Sequence, residues 1–254
     1  MAITVAAALL AGCTGTIRKR IYQPVPIAAT PVRFKGEMPQ PVAAVTADGL
    51  RLGGYYWPAR PGRPLVVYFH GNGFNQLVGA ARAEPLRAGG HGVLVASYRG
   101  YGGNGGKPSE QGLLRDGEAW MAEARRLSGG QPLFVFGHSL GGAVALEMAG
   151  RHQVGGVATL GTFARLADMA PPVARGLLPD RFDNVAALGR VRAPVLLLHG
   201  DRDEIVPFAA GERLAAAGGG RAQLVRLPGA GHQVDLAAVA DRLWARWDPA
   251  SAPK

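Results

Sequence analysis

A serine flanked by glycines lies at the centre of Gly137-His138-Ser139-Leu140-Gly141, which fits the pattern G-x-S-x-G. In this pattern the serine occupies a sharp turn between a strand and a helix, and the glycines leave room for close backbone contacts. Glycine is abundant in this chain, so the five residues alone would also suit an ordinary loop. An apolar run, Leu133 to Phe136, precedes them and an alanine-rich run follows, as the turn requires. The pattern therefore predicts that Ser139 is a nucleophile for an acyl carbonyl.

A serine hydroxyl becomes a good nucleophile when a histidine takes its proton, and a carboxylate must hold that histidine in the right tautomer. After a G-x-S-x-G serine, the acid and then the histidine follow along the chain. Of the six histidines, His232 is the one that follows the candidate acids, in the glycine-rich stretch Gly229-Ala230-Gly231-His232. We expect His232 to be the base, although a surface histidine in a turn would have the same local sequence.

Two aspartates compete for the role of the acid. Asp201 and Asp203 share the loop after the apolar run Val195 to Leu198, and either could reach the histidine. We favour Asp203 and expect Asp201 to cap its own turn by bonding nearby backbone. Two close aspartates also suggest a paired-carboxylate mechanism, but the arrangement on separate strands that glycosidases use is missing here.

Acyl transfer through a tetrahedral intermediate also needs backbone N–H groups directed at the oxyanion. The sequence predicts one donor at Leu140, the residue after the nucleophile, and a second in the loop His70-Gly71-Asn72-Gly73. Within that loop we favour the amide of Asn72. The same glycines would also suit an ordinary turn, in which His70 would be a structural histidine.

The elements that must position these residues follow from the apolar pattern. Short continuous apolar runs alternate with longer helical segments, which is typical of a parallel sheet buried on both faces. Two β-favouring runs, joined through Asp48-Gly49, predict an antiparallel hairpin at the start of the domain. The predicted strands are Val42 to Thr46, Leu50 to Trp57, Leu65 to Phe69, Val93 to Ser97, Leu133 to Phe136, Val154 to Leu160, Val195 to Leu198 and Gln223 to Leu227.

Five helices are predicted between and after these strands. They lie near Gln76 to Ala88, Glu110 to Leu127, Leu140 to Arg151, Phe208 to Ala217 and Gln233 to Trp247. Repeated β-α-β units with right-handed crossovers indicate the α/β class, with a mostly parallel, doubly wound sheet. Such sheets carry their sites at the carboxyl ends of the strands, and the polar, glycine-rich motifs of this chain follow its strands.

The composition bounds the domain and its partners. Apolar residues make up 48% and charged residues 18%, enough to bury one core in a single domain over about 41–247, followed by a tail over 248–254. The net charge of +10 comes from scattered basic residues without a nucleic-acid motif, so we do not expect a nucleic-acid partner. The histidines are too dispersed for a metal site, and Gly100 to Gly106 lacks the G-K-[ST] of a phosphate-binding loop. We expect neither a metal nor a cofactor.

The N-terminal residues suggest export. A short apolar run, Ile3 to Ala11, leads into Leu10-Ala11-Gly12-Cys13, which resembles the lipobox of bacterial lipoproteins. This resemblance implies a signal peptide over 1–12, lipidation at Cys13, and a membrane-anchored protein of the cell envelope. The basic cluster Arg18-Lys19-Arg20 would then lie near anionic lipid, and the proline-rich remainder of 13–40 would be a tether. A charged n-region is missing, so a frayed helix with a buried cysteine in a cytoplasmic protein is the alternative.

Taken together, the motifs resemble the α/β-hydrolase domain proteins related to the fission yeast bud-emergence homologue and to depalmitoylating serine hydrolases. The matching phrases are His70-Gly71-Asn72-Gly73, Ser97-Tyr98-Arg99-Gly100-Tyr101-Gly102, Lys107-Pro108-Ser109-Glu110, the G-x-S-x-G segment, Gly161-Thr162-Phe163, Arg181-Phe182-Asp183-Asn184 and His199-Gly200 through Val206-Pro207. The resemblance covers about Pro41 to Trp247. It implies the α/β-hydrolase fold, the acid at Asp203 and the base at His232, and esterase or thioesterase activity.

The resemblance also implies a cap between the sixth and seventh strands, here about 164–193. Prolines at Pro171, Pro172 and Pro179 limit any helix there to one or two turns. A short cap implies an open site, suited to a bulky ester or to an acyl chain presented at a membrane. We therefore expect a hydrolase of carboxylic esters or thioesters that forms an acyl-enzyme on Ser139. A serine peptidase on the same fold and a non-catalytic lipoprotein are the alternatives; the acyl chain, the leaving group and the oligomeric state stay open.

Overall fold

The computed structural model describes residues 15–29 and 31–248. Eight strands form a single sheet: β1 (Gln40–Val45), β2 (Arg51–Trp57), β3 (Leu65–Phe69), β4 (Gly92–Ala96), β5 (Leu133–His138), β6 (Gly156–Leu160), β7 (Val195–Gly200) and β8 (Ala222–Leu227). Their order across the sheet is β1-β2-β4-β3-β5-β6-β7-β8. β1 pairs antiparallel with β2, and β2 with β4, while the other five pairs are parallel. The predicted α/β class, with an antiparallel N-terminal hairpin on a mostly parallel sheet, is confirmed.

Helices connect the strands. Residues 15–21 lie in helix α1. The other helices are α2 (Gln76–Ala83), α3 (Glu110–Ser128), α4 (Leu140–Arg151), α5 (Asn184–Arg190), α6 (Phe208–Gly218) and α7 (Ala237–Trp247), with 3-10 turns at Ile27–Ala29, Glu84–Gly90, Leu166–Met169, Pro172–Leu177 and Gly219–Arg221.

Two helices are shorter than predicted. α2 ends at Ala83 because the chain tightens into a 3-10 turn whose last two residues, Gly89 and Gly90, both have positive φ. α7 begins at Ala237, where the side chain of Asp235 accepts a hydrogen bond from the backbone N–H of Ala237 at 2.9 Å. Both ends are set by local backbone conformation and capping, which the spacing of apolar residues does not report.

The central strands β3 to β7 are buried on both faces, which explains their continuous apolar runs. Along β3 every residue is buried, and alternate side chains enter opposite cores. Leu65, Val67 and Phe69 join the core beneath helices α3, α4, α5 and α6. Val66 and Tyr68 join the second core, beneath α2 and α7. The doubly wound arrangement therefore rests on one central sheet with apolar contacts on each side.

The insert between β6 and β7 contains little regular structure. It holds the two 3-10 turns Leu166–Met169 and Pro172–Leu177 and the seven-residue helix α5. An isolated bridge between Arg165 and Asp183 closes its base. This insert corresponds to the short cap predicted over about 164–193.

The segment predicted as a tether is packed against the domain. Among its described residues, 15–29 and 31–39, there is no strand before Gln40. However, the side-chain N–H of Asn75 donates to the carbonyl of Pro26 at 3.0 Å, and the indole N–H of Trp57 donates to the carbonyl of Glu37 at 2.8 Å. The segment also holds part of α1 and the 3-10 turn Ile27–Ala29, so it is not extended throughout as predicted. Prolines interrupt regular structure, but they leave backbone carbonyls free to accept bonds from the domain.

Several N- and C-terminal predictions lie outside the described residues. These are the signal peptide over 1–12, the lipidation site Cys13, and most of the tail over 248–254. Within residues 15–29 and 31–248, no helix has both the length and the apolar character needed to cross a bilayer.

Candidate active site

Ser139 occupies a one-residue turn between a strand and a helix. β5 ends at His138 and α4 begins at Leu140, so Ser139 alone makes the change of direction. Its φ of 53° and ψ of −116° are unusual for a residue with a side chain, and such conformations cost on the order of 1–3 kcal/mol. The backbone N–H of Ser139 donates to the carbonyl of Leu160 at 2.8 Å, which ties the turn to β6.

The two glycines of the pattern are needed because backbone atoms lie too close to both positions to admit a side chain. A Cβ on Gly137 would lie 2.2 Å from the carbonyl oxygen of Gly141, and a Cβ on Gly141 would lie 2.1 Å from the carbonyl oxygen of Phe69. Both distances are far below van der Waals contact. The turn is therefore as sharp as the G-x-S-x-G pattern predicts, and it closes against the end of β3.

His232 and Asp203 contact each other directly. His232 Nδ1 lies 2.8 Å from Asp203 Oδ2, and both residues are buried. The other carboxylate oxygen, Oδ1, accepts the backbone N–H groups of Ile205 at 2.9 Å and Val206 at 2.7 Å. With Nδ1 donating to the carboxylate, Nε2 of His232 is the ring nitrogen that can accept a proton.

His199 adds a second histidine beside the same carboxylate. Its Nε2 lies 2.8 Å from the carbonyl oxygen of Val206 and 3.4 Å from Asp203 Oδ2. Burial alone would raise the pKa of Asp203, but contacts with His199, His232 and the Val206 amide outweigh burial and hold this pKa well below its usual value. Asp203 is therefore ionised at neutral pH. Sequence reasoning assigned no role to His199, although its position at the end of β7 was a usable signal.

Asp201 differs from what the sequence predicts. Its Oδ1 accepts the backbone N–H of Gly229 at 2.7 Å, so it bonds to the histidine loop and not to its own turn. The capping of its own turn is done by Asp203, through Ile205 and Val206. The reason is topological: β7 and β8 are parallel neighbours, so the loops that follow them lie side by side.

The predicted residues meet at one cleft. Ser139, Leu140, Asn72 and His232 all line a cavity of about 380 Å³, with Asp203 behind His232. The remaining lining residues are Ile21, Gln23, Phe163, Leu166, Met169, Ile205, Val206 and Gln233. The carboxyl ends of β3, β5, β7 and β8 supply the residues predicted to do chemistry, and the cap and the N-terminal segment supply apolar walls.

The two predicted oxyanion donors border this cleft. Leu140 is the first residue of α4, where backbone N–H groups lack partners within the helix and the helix dipole favours negative charge. The loop of Asn72 packs closely on the serine turn, since a Cβ on Gly71 would lie 2.7 Å from Nδ1 of His138. The side chain of Asn72 fixes this loop in turn by accepting the hydroxyl of Tyr101 at 2.7 Å.

Two further histidines support the site without charge. His70 lies between the carbonyl of Gly71 and the hydroxyl of Ser97, and burial lowers its pKa to about 4. His138 Nε2 lies 3.1 Å from the carbonyl oxygen of His232, and burial, reinforced by His232, lowers the pKa of His138 to about 3. Both rings are neutral at physiological pH. His70 therefore has the contacts of a structural histidine, and His138 donates to the backbone of the predicted base.

The chain matches a family model, individual relatives and solved structures. The model of the Hydrolase_4 family, described as "Serine aminopeptidase, S33", matches residues 60–186, which include Ser139 but end before Asp203 and His232. An uncharacterized protein of Mycobacterium tuberculosis is 37% identical over 202 residues, covering 75% of this chain and 71% of the relative. Protein bem46 of Schizosaccharomyces pombe is 32% identical over 160 residues, covering 57% of this chain and 53% of the relative.

A solved structure gives the fold. The esterase domain of a Rhodothermus marinus protein superposes with a TM-score of 0.65 at 23% identity, covering 83% of this chain and 98% of that domain. At this identity the likeness concerns the fold alone. With the family match, it confirms the α/β-hydrolase fold predicted from the sequence.

Proposed function

The chain belongs to the Hydrolase_4 family of hydrolases, and from this premise we propose that it is a serine hydrolase that cleaves carboxylic esters or thioesters through an acyl-enzyme on Ser139. The observation that carries the proposal is the 2.8 Å contact between His232 Nδ1 and Asp203 Oδ2 at a cleft that Ser139 also lines. A nucleophile, a base and an acid in this relation are what serine acyl transfer requires.

In the proposed reaction, Ser139 Oγ attacks the acyl carbonyl while His232 Nε2 takes the hydroxyl proton, and Asp203 stabilises the imidazolium that forms. The amides of Asn72 and Leu140 donate to the oxyanion of the tetrahedral intermediate. Collapse breaks the bond to the leaving group, which takes the proton from His232. Water, activated by the same histidine, then hydrolyses the acyl-enzyme and restores Ser139.

The walls of the cleft favour an acyl substrate over a peptide with a free amino end. Phe163, Leu166 and Met169 supply apolar surface on which an acyl chain can pack. Among the described residues that line the cleft there is no aspartate or glutamate that would pair with a substrate ammonium group. Peptidase activity on the same triad is the second candidate, because the family description names an aminopeptidase.

A fluorophosphonate probe tests the nucleophile. We expect the probe to label the wild-type protein, and Ser139→Ala to abolish labelling and lower kcat on a p-nitrophenyl ester by about 10⁴-fold or more. Ser128→Ala, which removes a hydroxyl at the far end of α3, is the matched control and should retain both signals. Wild-type labelling at another residue, or unchanged turnover by Ser139→Ala, would exclude the proposed mechanism.

Substrate panels separate the candidates. Ester and thioester series of increasing acyl length are compared with aminoacyl p-nitroanilides on the same preparation. The proposal expects larger kcat/KM on the acyl series. Faster turnover of the anilides would replace it with a peptidase, and no turnover of any substrate by a folded protein would favour the non-catalytic alternative.

We also propose that the protein is a lipoprotein anchored at Cys13. The support is the sequence Leu10-Ala11-Gly12-Cys13, followed by the exposed basic residues Lys19 and Arg20. Radiolabelled palmitate should enter the wild-type protein in its native host and not Cys13→Ser. Incorporation that survives the substitution, or a wild-type protein without label, would favour the cytoplasmic alternative.

A further inference from the structure

The N-terminal segment contributes a wall of the cleft. We use the word strap for residues 18–23, which run from the last turns of α1 to the start of the extended segment. Ile21 and Gln23 line the same cavity as Ser139 and His232. The strap belongs to no strand and carries none of the predicted site residues, so its presence at the cleft is a product of tertiary packing.

One end of the strap is bonded to the side chain of Asn72. The backbone N–H of Gln23 donates to Asn72 Oδ1 at 2.8 Å, and Asn72 Nδ2 donates to the carbonyl of Ile21 at 2.7 Å. The amide side chain thus pairs with the strap in both directions, as a neighbouring strand would. The hydroxyl of Tyr101 also donates to Oδ1. Three hydrogen bonds therefore hold a side chain whose own backbone N–H is the proposed oxyanion donor.

The other end of the strap is bonded to the cap. Arg18 donates to both carboxylate oxygens of Asp180, with Nε–Oδ2 at 2.9 Å and Nη2–Oδ1 at 3.0 Å. Asp180 is 2% exposed, and its Oδ1 also accepts the backbone N–H of Glu110 at the start of α3. Between the two ends, Tyr22 is also 2% exposed. The strap is therefore fixed on both sides of the cleft.

We infer that the strap is a substrate-contacting wall of the acyl site and that it positions Asn72 for catalysis. The inference rests on the proposed function, because it assigns the acyl group to the cleft of Ser139. Ile21 is half-buried and apolar, so it contacts the acyl chain, and its size limits the chain that fits. The bonds to Asn72 keep the donor amide at a fixed distance from the oxyanion, on which electrostatic stabilisation depends.

Ile21→Ala tests the wall. Removing three carbons opens the cleft, so the ratio of kcat/KM for long acyl esters to that for short ones should rise by about 10-fold. The substitution touches no hydrogen bond of the strap, because Ile21 contributes its backbone carbonyl to Asn72. An unchanged chain-length profile in a folded variant would overturn this half of the inference.

Arg18→Ala tests the positioning. Loss of the ion pair loosens the strap and the side chain of Asn72, and we expect kcat to fall by about 10-fold, less than the 10²–10³ lost when an oxyanion donor is removed outright. Arg221→Ala, which removes the same charge from an exposed residue of the 3-10 turn Gly219–Arg221, away from the cleft, is the matched control and should leave kcat unchanged. Arg18→Lys, which keeps one donor for Asp180, should recover part of the loss. Equal kcat in the wild type and Arg18→Ala would overturn the positioning role.

The rate of Ser139 labelling distinguishes failure of the inference about the strap from failure of the proposed serine mechanism. Rates of Ser139 labelling by short-chain and long-chain alkyl fluorophosphonates are measured for the wild type, Ile21→Ala and Arg18→Ala. Labelling of all three with identical chain-length preference would reject the strap as a wall while leaving the serine mechanism intact. A wild type that is not labelled would reject both. If Arg18→Ala does not fold, Tyr101→Phe, which removes another bond to Asn72 Oδ1, replaces it and should lower kcat in the same direction.

Discussion

Asp203 uses its two carboxylate oxygens for different partners. Oδ1 accepts two amides of its own loop, and Oδ2 faces His232 and His199. The first set fixes the position of the carboxylate, and the second leaves one oxygen to hold the histidine tautomer. Asp201, two residues earlier, joins the acid loop to the histidine loop through Gly229. The two aspartates therefore have separable roles.

Asn substitutions separate those roles. Asp203→Asn places an N–H₂ group or a weaker acceptor against His232 Nδ1, so the tautomer needed for proton transfer is lost and kcat on an ester should fall by about 10⁴-fold. Asp201→Asn still presents an oxygen to the Gly229 amide, and we expect kcat to fall by less than about 10-fold. Steady-state kinetics on both variants decide the matter. A larger loss in Asp201→Asn would make Asp201 the acid.

Buried neutral histidines predict how stability depends on pH. In the unfolded chain a histidine has an ordinary pKa of 6.5, whereas in the folded protein the pKa of His70 falls to about 4 and that of His138 to about 3. Between these values the unfolded state binds more protons, so the free energy of unfolding decreases as pH falls from 7 to 5. Each histidine contributes about 2 kcal/mol to that decrease.

Urea denaturation of the wild type and His138→Gln at pH 7 and pH 5 measures this contribution. The variant should lose less stability over the interval, by about 2 kcal/mol. Equal losses in the two proteins would show that His138 is not held neutral by burial.

The sequence located the residues that follow strands, since strand order and chain order limit the choices for Ser139, Asp203 and His232. It did not locate His199 or Tyr101, although both approach predicted site residues closely. His199 stands four residues before Asp203 at the end of β7, where its position was a usable signal. The role of Tyr101 depends on which loops become neighbours when the sheet assembles. Local pattern carries no such information, and Asp201 was misassigned for the same reason.

At the scale of elements, the serine turn is shaped by backbone contacts. β5 passes directly into α4, and the ends of three elements close around Gly137 and Gly141. Neither position can yield by moving a flexible side chain, because the contacting atoms belong to backbone. The strain at Ser139 is therefore supported by strands and a helix that are themselves buried.

Substituting alanine for Gly137 tests how closely the backbone packs at the serine turn. Gly137→Ala places a Cβ 2.2 Å from a backbone oxygen, and we expect a loss of about 2–4 kcal/mol in the free energy of unfolding. Gly189→Ala is the control, because it lies inside α5 with no atom within 4 Å of the new Cβ. There the helix should gain about 0.5–1 kcal/mol. Chemical denaturation of both variants gives the comparison, and similar effects at the two sites would contradict the close packing at the turn.

The sequence predicted the extents of strands well where every residue of the strand is buried. The apolar runs of β3, β5 and β7, which are Leu65 to Phe69, Leu133 to Phe136 and Val195 to Leu198, are continuous because each strand is covered by helices on both faces. Helix ends were less accurate: α2 stops at Ala83 and α7 starts at Ala237 through turns and a cap that follow no periodicity. The predicted extents of the buried strands were therefore closer than those of these two helices.

At the scale of the whole molecule, the folded body extends beyond the sheet. A tether was predicted over 13–40 from its prolines, yet residues 18–23 and Pro26 are bonded to the domain. These bonds join the Arg18 side chain and backbone groups of the segment to side chains of distant residues, and no local sequence pattern predicts them. The molecule therefore includes its N-terminal segment as a structural part.

Hydrogen exchange tests whether the strap is part of the folded domain. The backbone N–H of Tyr22 donates to the carbonyl of Arg18, and that of Gln23 to Asn72. Peptides covering the strap should exchange about 10-fold or more slowly than an unstructured segment. Arg18→Ala should raise that exchange rate while peptides from β5 stay protected. If the wild-type strap exchanges at the rate of an unstructured segment, the strap is not folded onto the domain and the prediction of a tether stands.

The strap also bears on how such proteins diverge. Because the strap lies outside the hydrogen-bonded ladder, substitutions at Ile21 or Gln23 shift no strand register and leave Tyr22, the strap residue that belongs to the core, in place. Under the proposed function, a lineage can therefore change the acyl groups that it accepts through the strap while Ser139, Asp203 and His232 stay in place. Two chains with the same sheet and the same nucleophile can then differ in their substrates through a segment of six residues that a comparison restricted to the sheet would leave out.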